Sequence, residues 1–474
     1  MNTQRSFFIR TYGCQMNTHD SQKLANLLHH AGYRATDAEG DADLLIINTC
    51  SIRDKAEHHL YSDLGLLRGW RDEVPGRVLG VGGCVAQHVG DRLLARFSHL
   101  DFVFGTHNLR HVPAMAAGAV DGRRAADTSE TTSLERFDLP ARHAGYATET
   151  PARAFLTVME GCDMFCSFCI VPQTRGREIS RPAADILTEA KDLAAAGVRE
   201  VTLLGQTVNA YGRHDVRRGN AAAKGTLGFA ELLAHLDAIP GIERVRYTSP
   251  HPRFFEPDLI GAHGTLGSLC PHVHLPLQSG SDRMLGAMRR RYTRAEFFGI
   301  VEQLRAARPD IAITTDLIVG FPGETEADFL ETLSAVETVG FVDHYSFKYS
   351  PRPGTAAAVL PDSDSVPGEV AQERLERLQE LQRTLTLAYH RARVGHPTEV
   401  LIEGPSRRGG DQICGRDPFH RVVNIDGSAE RLAPGDVVAV EVVEATPHSL
   451  IGAPESTAAS ERATSSVVLG QVGL

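Results

Sequence analysis

No run of roughly 18 apolar residues occurs in this chain, so nothing in it reads as a membrane-spanning helix. The opening Met1-Asn2-Thr3-Gln4-Arg5 lacks the apolar stretch of an export signal, and a cytoplasmic protein is expected. Positive charge is short: 49 Lys and Arg stand against 59 Asp and Glu, for a formal net charge of −10. That balance argues against a chain that simply coats nucleic acid and leaves any RNA contact to local basic patches. Internal repeats are missing, apart from an alternation of strand-like and helix-like segments. Cysteine is sparse, with 8 in 474 residues. Without an export signal disulfides are a poor account of them, and clustered thiols point instead to metal.

What is present is ordinary globular material. The apolar fraction of 42% is enough to build cores. At roughly 100–200 residues per domain, about three domains are expected. Residues 1–120 carry strand-like Phe7-Phe8-Ile9, Leu44-Leu45-Ile46-Ile47 and Val78-Leu79-Gly80-Val81, with helical patterns over Asp20 to His30 and Asp54 to Leu67. Strand–helix alternation implies a parallel α/β sheet. Residues 121–150 fall in a stretch, from Leu109 to Ala152, that is rich in Ala, Gly, Asp and Thr and weakly periodic, and they read as a connector. In 151–393 six strands, starting near Phe155, Val201, Val245, Val273, Ile313 and His344, alternate with helices. Pro182 is expected in the first turn of one of these, reaching Ala196. Six units predict an open, partial (β/α)6 barrel with functional loops at the strand C-termini. Leu375, Leu378, Leu381 and Leu385 form one stripe of a helix that straps this barrel. Residues 394–454 read as a small all-β module, and the Ser/Thr/Ala-rich 455–474 as a disordered tail.

The chemistry lies in the cysteines. Cys162, Cys166 and Cys169 fall on one loop after the first barrel strand. Such spacing wraps one small inorganic core, and thiolates suit iron–sulfur clusters or zinc. Structural zinc wants a fourth ligand, and none is near. Three ligands on a 4Fe–4S core leave one iron open. Cys14, Cys50 and Cys84 each follow a strand of the first domain, and the ends of parallel strands share one sheet edge. Taken alone, three separated cysteines are ordinarily buried free thiols.

The loop Glu160-Gly161-Cys162-Asp163-Met164-Phe165-Cys166-Ser167-Phe168-Cys169 resembles that of the radical S-adenosylmethionine enzymes. The resemblance implies that the open iron chelates S-adenosylmethionine and that one electron releases a 5′-deoxyadenosyl radical. It places Phe168 near the adenine. Gln206 stands where that family usually has an acidic residue meeting the amino group, a departure from its pattern. Gln278 and Ser279 are expected at the ribose or carboxylate. Ile318, Gly320 and Glu324 lie in the strand and turn that pack the adenine. A cap or turn contact is the alternative for each polar residue.

Three further segments resemble the N-terminal domain of the methylthiotransferase family: Thr11-Tyr12-Gly13-Cys14-Gln15-Met16-Asn17, Asn48-Thr49-Cys50-Ser51-Ile52-Arg53 and Gly82-Gly83-Cys84-Val85-Ala86-Gln87. That likeness implies a second 4Fe–4S cluster on Cys14, Cys50 and Cys84. The flanks of Cys14 and Cys50 resemble the branch that adds a methylthio group to C2 of N6-dimethylallyladenosine beside the tRNA anticodon. The alternatives are a methylthiotransferase acting on threonylcarbamoyladenosine or on a ribosomal-protein aspartate, and a non-enzymatic electron carrier with an RNA-binding tail. The implied partners are a tRNA anticodon loop and a flavodoxin- or ferredoxin-like electron donor; no membrane is involved, and the chain is expected to be a monomer. The terminal β module resembles the TRAM RNA-binding domain, yet it holds only Arg407, Arg408, Arg416, Arg421 and Arg431 against nine acidic residues. Better basic clusters are Arg175, Arg177 and Arg181, and Arg289-Arg290-Arg291. Cys270 and Cys414 match no ligand position.

Overall fold

The computed structural model describes residues 4–51, 54–140, 152–213, 227–406, 409, 411–426 and 432–454. The tail 455–474, most of the expected connector, and Arg407, Arg408 and Arg431 lie outside them.

The first domain is an all-parallel sheet of strands β1 (Ser6–Thr11), β2 (Arg34–Ala35), β3 (Leu44–Thr49), β4 (Val78–Gly83), β5 (Phe102–Phe104) and β6 (Ala125–Asp127), in the order β2-β1-β3-β4-β5-β6. Every residue of β3 and β4 is buried, as continuous apolar runs covered on both faces require. One face takes the helices Gln15–His30 and Val112–Val120 through Leu24, Leu28, Val112 and Ala116; the other takes Asp54–Glu73 and Cys84–Val89 through Leu60, Leu64 and Val85. The sheet reaches past residue 120, because β6 falls in the stretch read as a connector. The sequence hid it: a strand of three residues, Ala-Ala-Asp, has too little apolar alternation to register.

Glycine decides the packing of β4. A Cβ on Gly82 would come within 2.0 Å of Phe104 Cζ, and one on Gly80 within 2.3 Å of Phe102 Cζ. Both rings are fully buried, so they have nowhere to retreat. Gly82→Ala is expected to destabilise the first domain by about 1–3 kcal/mol, as overpacking does. The measurement is the urea midpoint of the full chain; an unchanged midpoint would show that the rings move aside.

The second domain has strands β7 (Arg153–Thr157), β8 (Met159–Glu160), β9 (Ile179–Ser180), β10 (Glu200–Leu204), β11 (Arg244–Tyr247), β12 (His272–His274), β13 (Ala312–Val319) and β14 (Asp343–Lys348). The parallel sheets β11-β10-β7 and β12-β13-β14 are joined through a bridge between Val245 and Leu269. The six expected strands thus run in order with β7 and β14 as unpaired edges among the described residues, and the barrel is open at its side. The pair β8–β9 is an added two-residue ribbon that holds the cysteine loop. Pro182 is the cap preceding the helix Ala183–Ala195 rather than part of its first turn: its extended ψ of 134° starts the helix one residue later. The strap, Gly368–Arg391, lays the expected leucine stripe on the barrel core, with Leu378 fully buried.

The third domain is a closed barrel of β15 (Pro397–Pro405), β16 (Ile413–Arg416), β17 (Val422–Ile425), β18 (Val437–Ala445) and β19 (Leu450–Pro454), in the order β15-β16-β17-β19-β18. Closure leaves no free edge. Arg244 donates to the carbonyls of Arg416 and Glu399 (2.8 and 3.1 Å), Arg246 to that of Asp417 (2.9 Å), and Arg153 pairs with Glu403 (3.1 Å). Arg153 and Arg244 begin their strands, so this module covers the N-terminal end of the barrel and leaves the cysteine loop at the other end.

Candidate cluster sites

The loop after β8 is held by backbone contacts. Gly161 has φ +81°, and a Cβ there would sit 2.2 Å from the Arg177 carbonyl oxygen, so only glycine fits. Its N–H donates to Gln206 Oε1 at 2.6 Å. Cys162 N–H reaches the Gly176 carbonyl (3.1 Å), Ser167 N–H the Met288 carbonyl (3.0 Å), and Cys169 N–H the Cys166 carbonyl (3.1 Å). The Cys162 thiol lies 3.1 Å from Thr207 Oγ1. Arg290, buried, donates to Cys166 Sγ at 3.3 Å. Burial pushes the Cys162 thiol up to about 11 and the Cys169 thiol up to about 12. Metal must therefore displace protons here to obtain thiolates.

The other expected contacts divide. Phe168 and Ile318 converge on one apolar patch with Met284, Met288 and Phe321. Gln278 takes a left-handed φ of 75°, receiving the Ile318 N–H at 2.9 Å and donating its own to the Asp316 carbonyl at 2.8 Å. Ser279 is fully buried with its hydroxyl 3.3 Å from that of Thr332, on the helix Glu326–Val339. Glu324 accepts from Gly320 N–H (2.7 Å) and from Arg374 on the strap (2.8 Å), while burial raises its carboxyl. A Cβ on Gly320 would meet Ala371 Cβ at 2.8 Å. Ser279, Gly320 and Glu324 thus fasten loops to outer helices.

Parallel register gathers the first three cysteines. Asn48 opposes Thr11 and Gly82, so the residues that follow these strands fall side by side. Cys14 caps the helix Gln15–His30 and Cys84 begins the helix Cys84–Val89, both at N-termini that favour thiolate. Gly13, at φ +127°, lets the chain pass where a Cβ would be 2.3 Å from Cys50 Cβ. A hydrogen bond from Cys50, with the Arg175 charge behind it, lowers the Cys14 thiol to about 6, whereas burial raises Cys84. Asn17 and Asn48, which sequence reasoning passed over, brace the site: Asn17 Nδ2 donates to the Thr49 carbonyl (2.8 Å) and Asn48 Nδ2 to that of Asn17 (2.9 Å).

Among the described residues, no three Cys, His or acidic side chains are gathered tightly enough to hold a single ion. A four-iron core takes each thiolate on a separate iron and does not ask them to meet at one point.

A buried ionic interface joins the two domains that carry the triads. Arg175 pairs with Asp20 at 2.6 Å, Lys23 with Glu160 at 3.3 Å, and Arg136 also binds Glu160. Against the cost of burial, Arg136, Lys23 and Arg175 hold the Glu160 carboxyl well below the usual carboxylate range. This corrects the expected basic patches. Arg175 and Arg290 are buried, Arg181 is tied to Glu189 (2.8 Å), and Arg421 is buried on Asp417. Arg416 pairs with Glu403 at 3.2 Å. Arg177, Arg289 and Arg291 are exposed. A cavity of about 1040 Å³ runs from Cys14 past Phe155, Thr202, His274 and Asp316 to Tyr345 and Phe347 on the free edge β14, with Arg416, Phe419 and His420 of the third domain also in its wall; Cys162, Cys166 and Cys169 do not line it.

Three family models match the chain: the uncharacterized protein family UPF0004 over residues 6–105, the radical SAM superfamily over 156–336, and the TRAM domain over 391–454. A tRNA-2-methylthio-N(6)-dimethylallyladenosine synthase of Geobacter metallireducens is 49% identical over 454 residues, covering 95% of this chain and 99% of the relative. Its counterpart in Geotalea uraniireducens is 47% identical, with 95% and 99% covered. The chain belongs to the tRNA-2-methylthio-N(6)-dimethylallyladenosine synthase family of methylthiotransferases. It is accordingly a radical SAM enzyme of a family that works with S-adenosylmethionine and two 4Fe–4S clusters. Among solved structures, the radical S-adenosylmethionine methyltransferase TsrM from Kitasatospora setae matches with a TM-score of 0.55 at 13% identity, over 75% of this chain and 74% of that one. The cobalamin-dependent radical enzyme OxsB matches with 0.51 at 12%, over 80% and 56%. These two likenesses concern the fold alone. Among the described residues no helix is long and apolar enough to cross a membrane.

The two remaining cysteines stand apart from both triads. Cys270 is buried beside Arg246, and Cys414 lies on β16 with its thiol toward the Pro405 carbonyl. Cys270→Ala and Cys414→Ala are each expected to retain the parent's full iron content by colorimetric assay; a deficit in either would mean a missed ligand.

Proposed function

We propose that this protein transfers a methylthio group to C2 of N6-dimethylallyladenosine in tRNA, next to the anticodon. The observation that carries the reading is the pair of cysteine triads, one on the loop after β8 and one gathered at the ends of β1, β3 and β4, on two domains tied together by Arg175–Asp20 and Lys23–Glu160. When bound, the core on Cys162, Cys166 and Cys169 supplies the electron that cleaves S-adenosylmethionine to a hydrogen-abstracting radical, and the core on Cys14, Cys50 and Cys84 holds the sulfur. The chain's own part is placement. Gln206 fixes the start of the radical loop through Gly161. Phe168 and Ile318 offer the apolar surface for an adenine. Gln278, by its backbone, keeps the loop after β12 in line with β13.

The open side of the barrel admits a base that has left its stack, as chemistry on a base in RNA requires. A volume of about 1040 Å³ has room for a nucleoside carrying a five-carbon substituent. The TRAM module supports RNA as the substrate. The electron comes from a separate flavodoxin- or ferredoxin-like protein, and the site of action is the cytoplasm, where tRNA is. The test is nucleoside analysis of tRNA from a deletion strain, with and without this chain restored. Methylthiolated dimethylallyladenosine should vanish on deletion and return on complementation. Loss of a methylthiolated threonylcarbamoyladenosine instead would overturn the substrate assignment.

A further inference from the structure

The ionic interface carries more positive charge than it neutralises. Lys23, Arg136 and Arg175 face Asp20 and Glu160, which leaves one cation in excess in this buried five-residue network. Buried charge without a counter-charge is costly. Arg175 is where that imbalance meets the first-domain site. It is 3% accessible, one Nη is bonded to Asp20, and the other Nη has no hydrogen-bond partner. Its partner Asp20 lies on the helix that Cys14 caps, and Thr106 of the first domain donates to the carbonyl of the preceding Thr174 at 2.5 Å, so Arg175 is held against the domain of Cys14 and Cys84, and its charge acts on both thiols. Arg175 does not belong to the domain of those cysteines. It follows the helix Val171–Thr174, directly after the loop that bears Cys169, with its N–H on the Val171 carbonyl at 2.8 Å.

We infer that Arg175 is a positioning residue for the first-domain cluster, supplied across the interface by the radical loop as the counter-charge of the core on Cys14, Cys50 and Cys84. Three thiolates on a four-iron core make an anion, and one more electron makes it more negative. A fixed cation beside the sulfurs favours the reduced state, since net charge and hydrogen bonds at the sulfurs set such potentials. Asp20 opposes this: it holds the guanidinium in place and subtracts from its field. The arrangement also means that the first-domain site is complete only when the second domain is docked.

The inference rests on the reading that Cys14, Cys50 and Cys84 carry a cluster, and iron content tests that reading by itself. The experiment uses the full chain with Cys162, Cys166 and Cys169 changed to Ala, so that only the first-domain core remains. One electron per core is delivered by dithionite through mediator dyes, and the reduced state is followed by electron paramagnetic resonance against potential. Arg175→Gln should lower the midpoint potential and Asp20→Asn should raise it, with Arg175→Lys close to the parent. A purely structural latch predicts otherwise, because Arg175→Gln and Asp20→Asn break the same 2.6 Å pair and would move the potential alike or not at all. Shifts of equal sign, or none, overturn the inference. If Arg175→Gln fails to hold iron, Asp20→Asn decides alone: a rise supports the counter-charge and a fall or no change refutes it. A parent chain without iron overturns both readings.

Discussion

Changing Cys162, Cys166 and Cys169 together to alanine is expected to halve the iron, from about eight to about four per chain, and to abolish formation of 5′-deoxyadenosine. The halving follows from geometry. The two triads sit on different domains, on opposite sides of the interface formed by Asp20, Lys23, Glu160 and Arg175. None of those four residues is changed in the variant. The loop itself is held by Gly161 on Gln206, Cys162 N–H on Gly176 and Ser167 N–H on Met288, contacts that survive loss of the thiols. Two of the lost groups are thiols that burial keeps protonated in the absence of metal, so their removal leaves no unpaired charge behind. The barrel should therefore remain folded, and the missing activity should report the missing electron source. Iron assay and chromatography of the nucleoside products read the two effects separately. Retention of all the iron would remove the triad from the cluster assignment.

Much of this site was legible because its chemistry is local. The loop from Glu160 to Cys169 declares three thiols close together in the chain, and the strand Arg153–Thr157 precedes it. The three strands ahead of Cys14, Cys50 and Cys84 were equally clear, since β3 and β4 are buried on both faces and read as unbroken apolar segments. Convergence of those cysteines needed only parallel pairing. The short elements were not legible: β6 and the ribbon β8–β9 have three and two residues a strand, too few for a period to show. Charged residues misled most. Arg175, Arg181 and Arg290 look in sequence like a surface for phosphate, but their partners Asp20, Glu189 and the Cys166 thiol are distant or unremarkable in the chain. A lone arginine in a sequence does not disclose whether a carboxylate awaits it. The same limit applies to Ser279 and Glu324, whose partners Thr332 and Arg374 lie on helices that close over the barrel later in the chain.

Changing Cys14, Cys50 and Cys84 together to alanine should give the complementary result: S-adenosylmethionine is still cleaved to 5′-deoxyadenosine on reduction, and no methylthioadenosine forms in tRNA. The first half rests on what the substitutions leave alone. The partners of Gln206, Phe168, Ile318 and Cys162 include Gly161, Met284, Met288 and Thr207, which these substitutions leave in place. Docking of the domains also persists, because Asp20–Arg175 and Lys23–Glu160 do not involve sulfur, and Asn17 and Asn48 still tie the helix Gln15–His30 to β3. The second half rests on the cavity. Cys14 is the cysteine in its wall, so a base lodged in it lies beside the first-domain site from which sulfur would reach C2. Removing the thiols empties that place without closing the cavity. Paired chromatography of 5′-deoxyadenosine and of digested tRNA nucleosides measures both outcomes on one sample. Methylthio product from this variant would refute a sulfur-holding role for the first domain. Loss of both products, with iron on the barrel retained, would show that cleavage depends on an intact first-domain site, which is the outcome expected if the radical loop needs the anion that Arg175 faces.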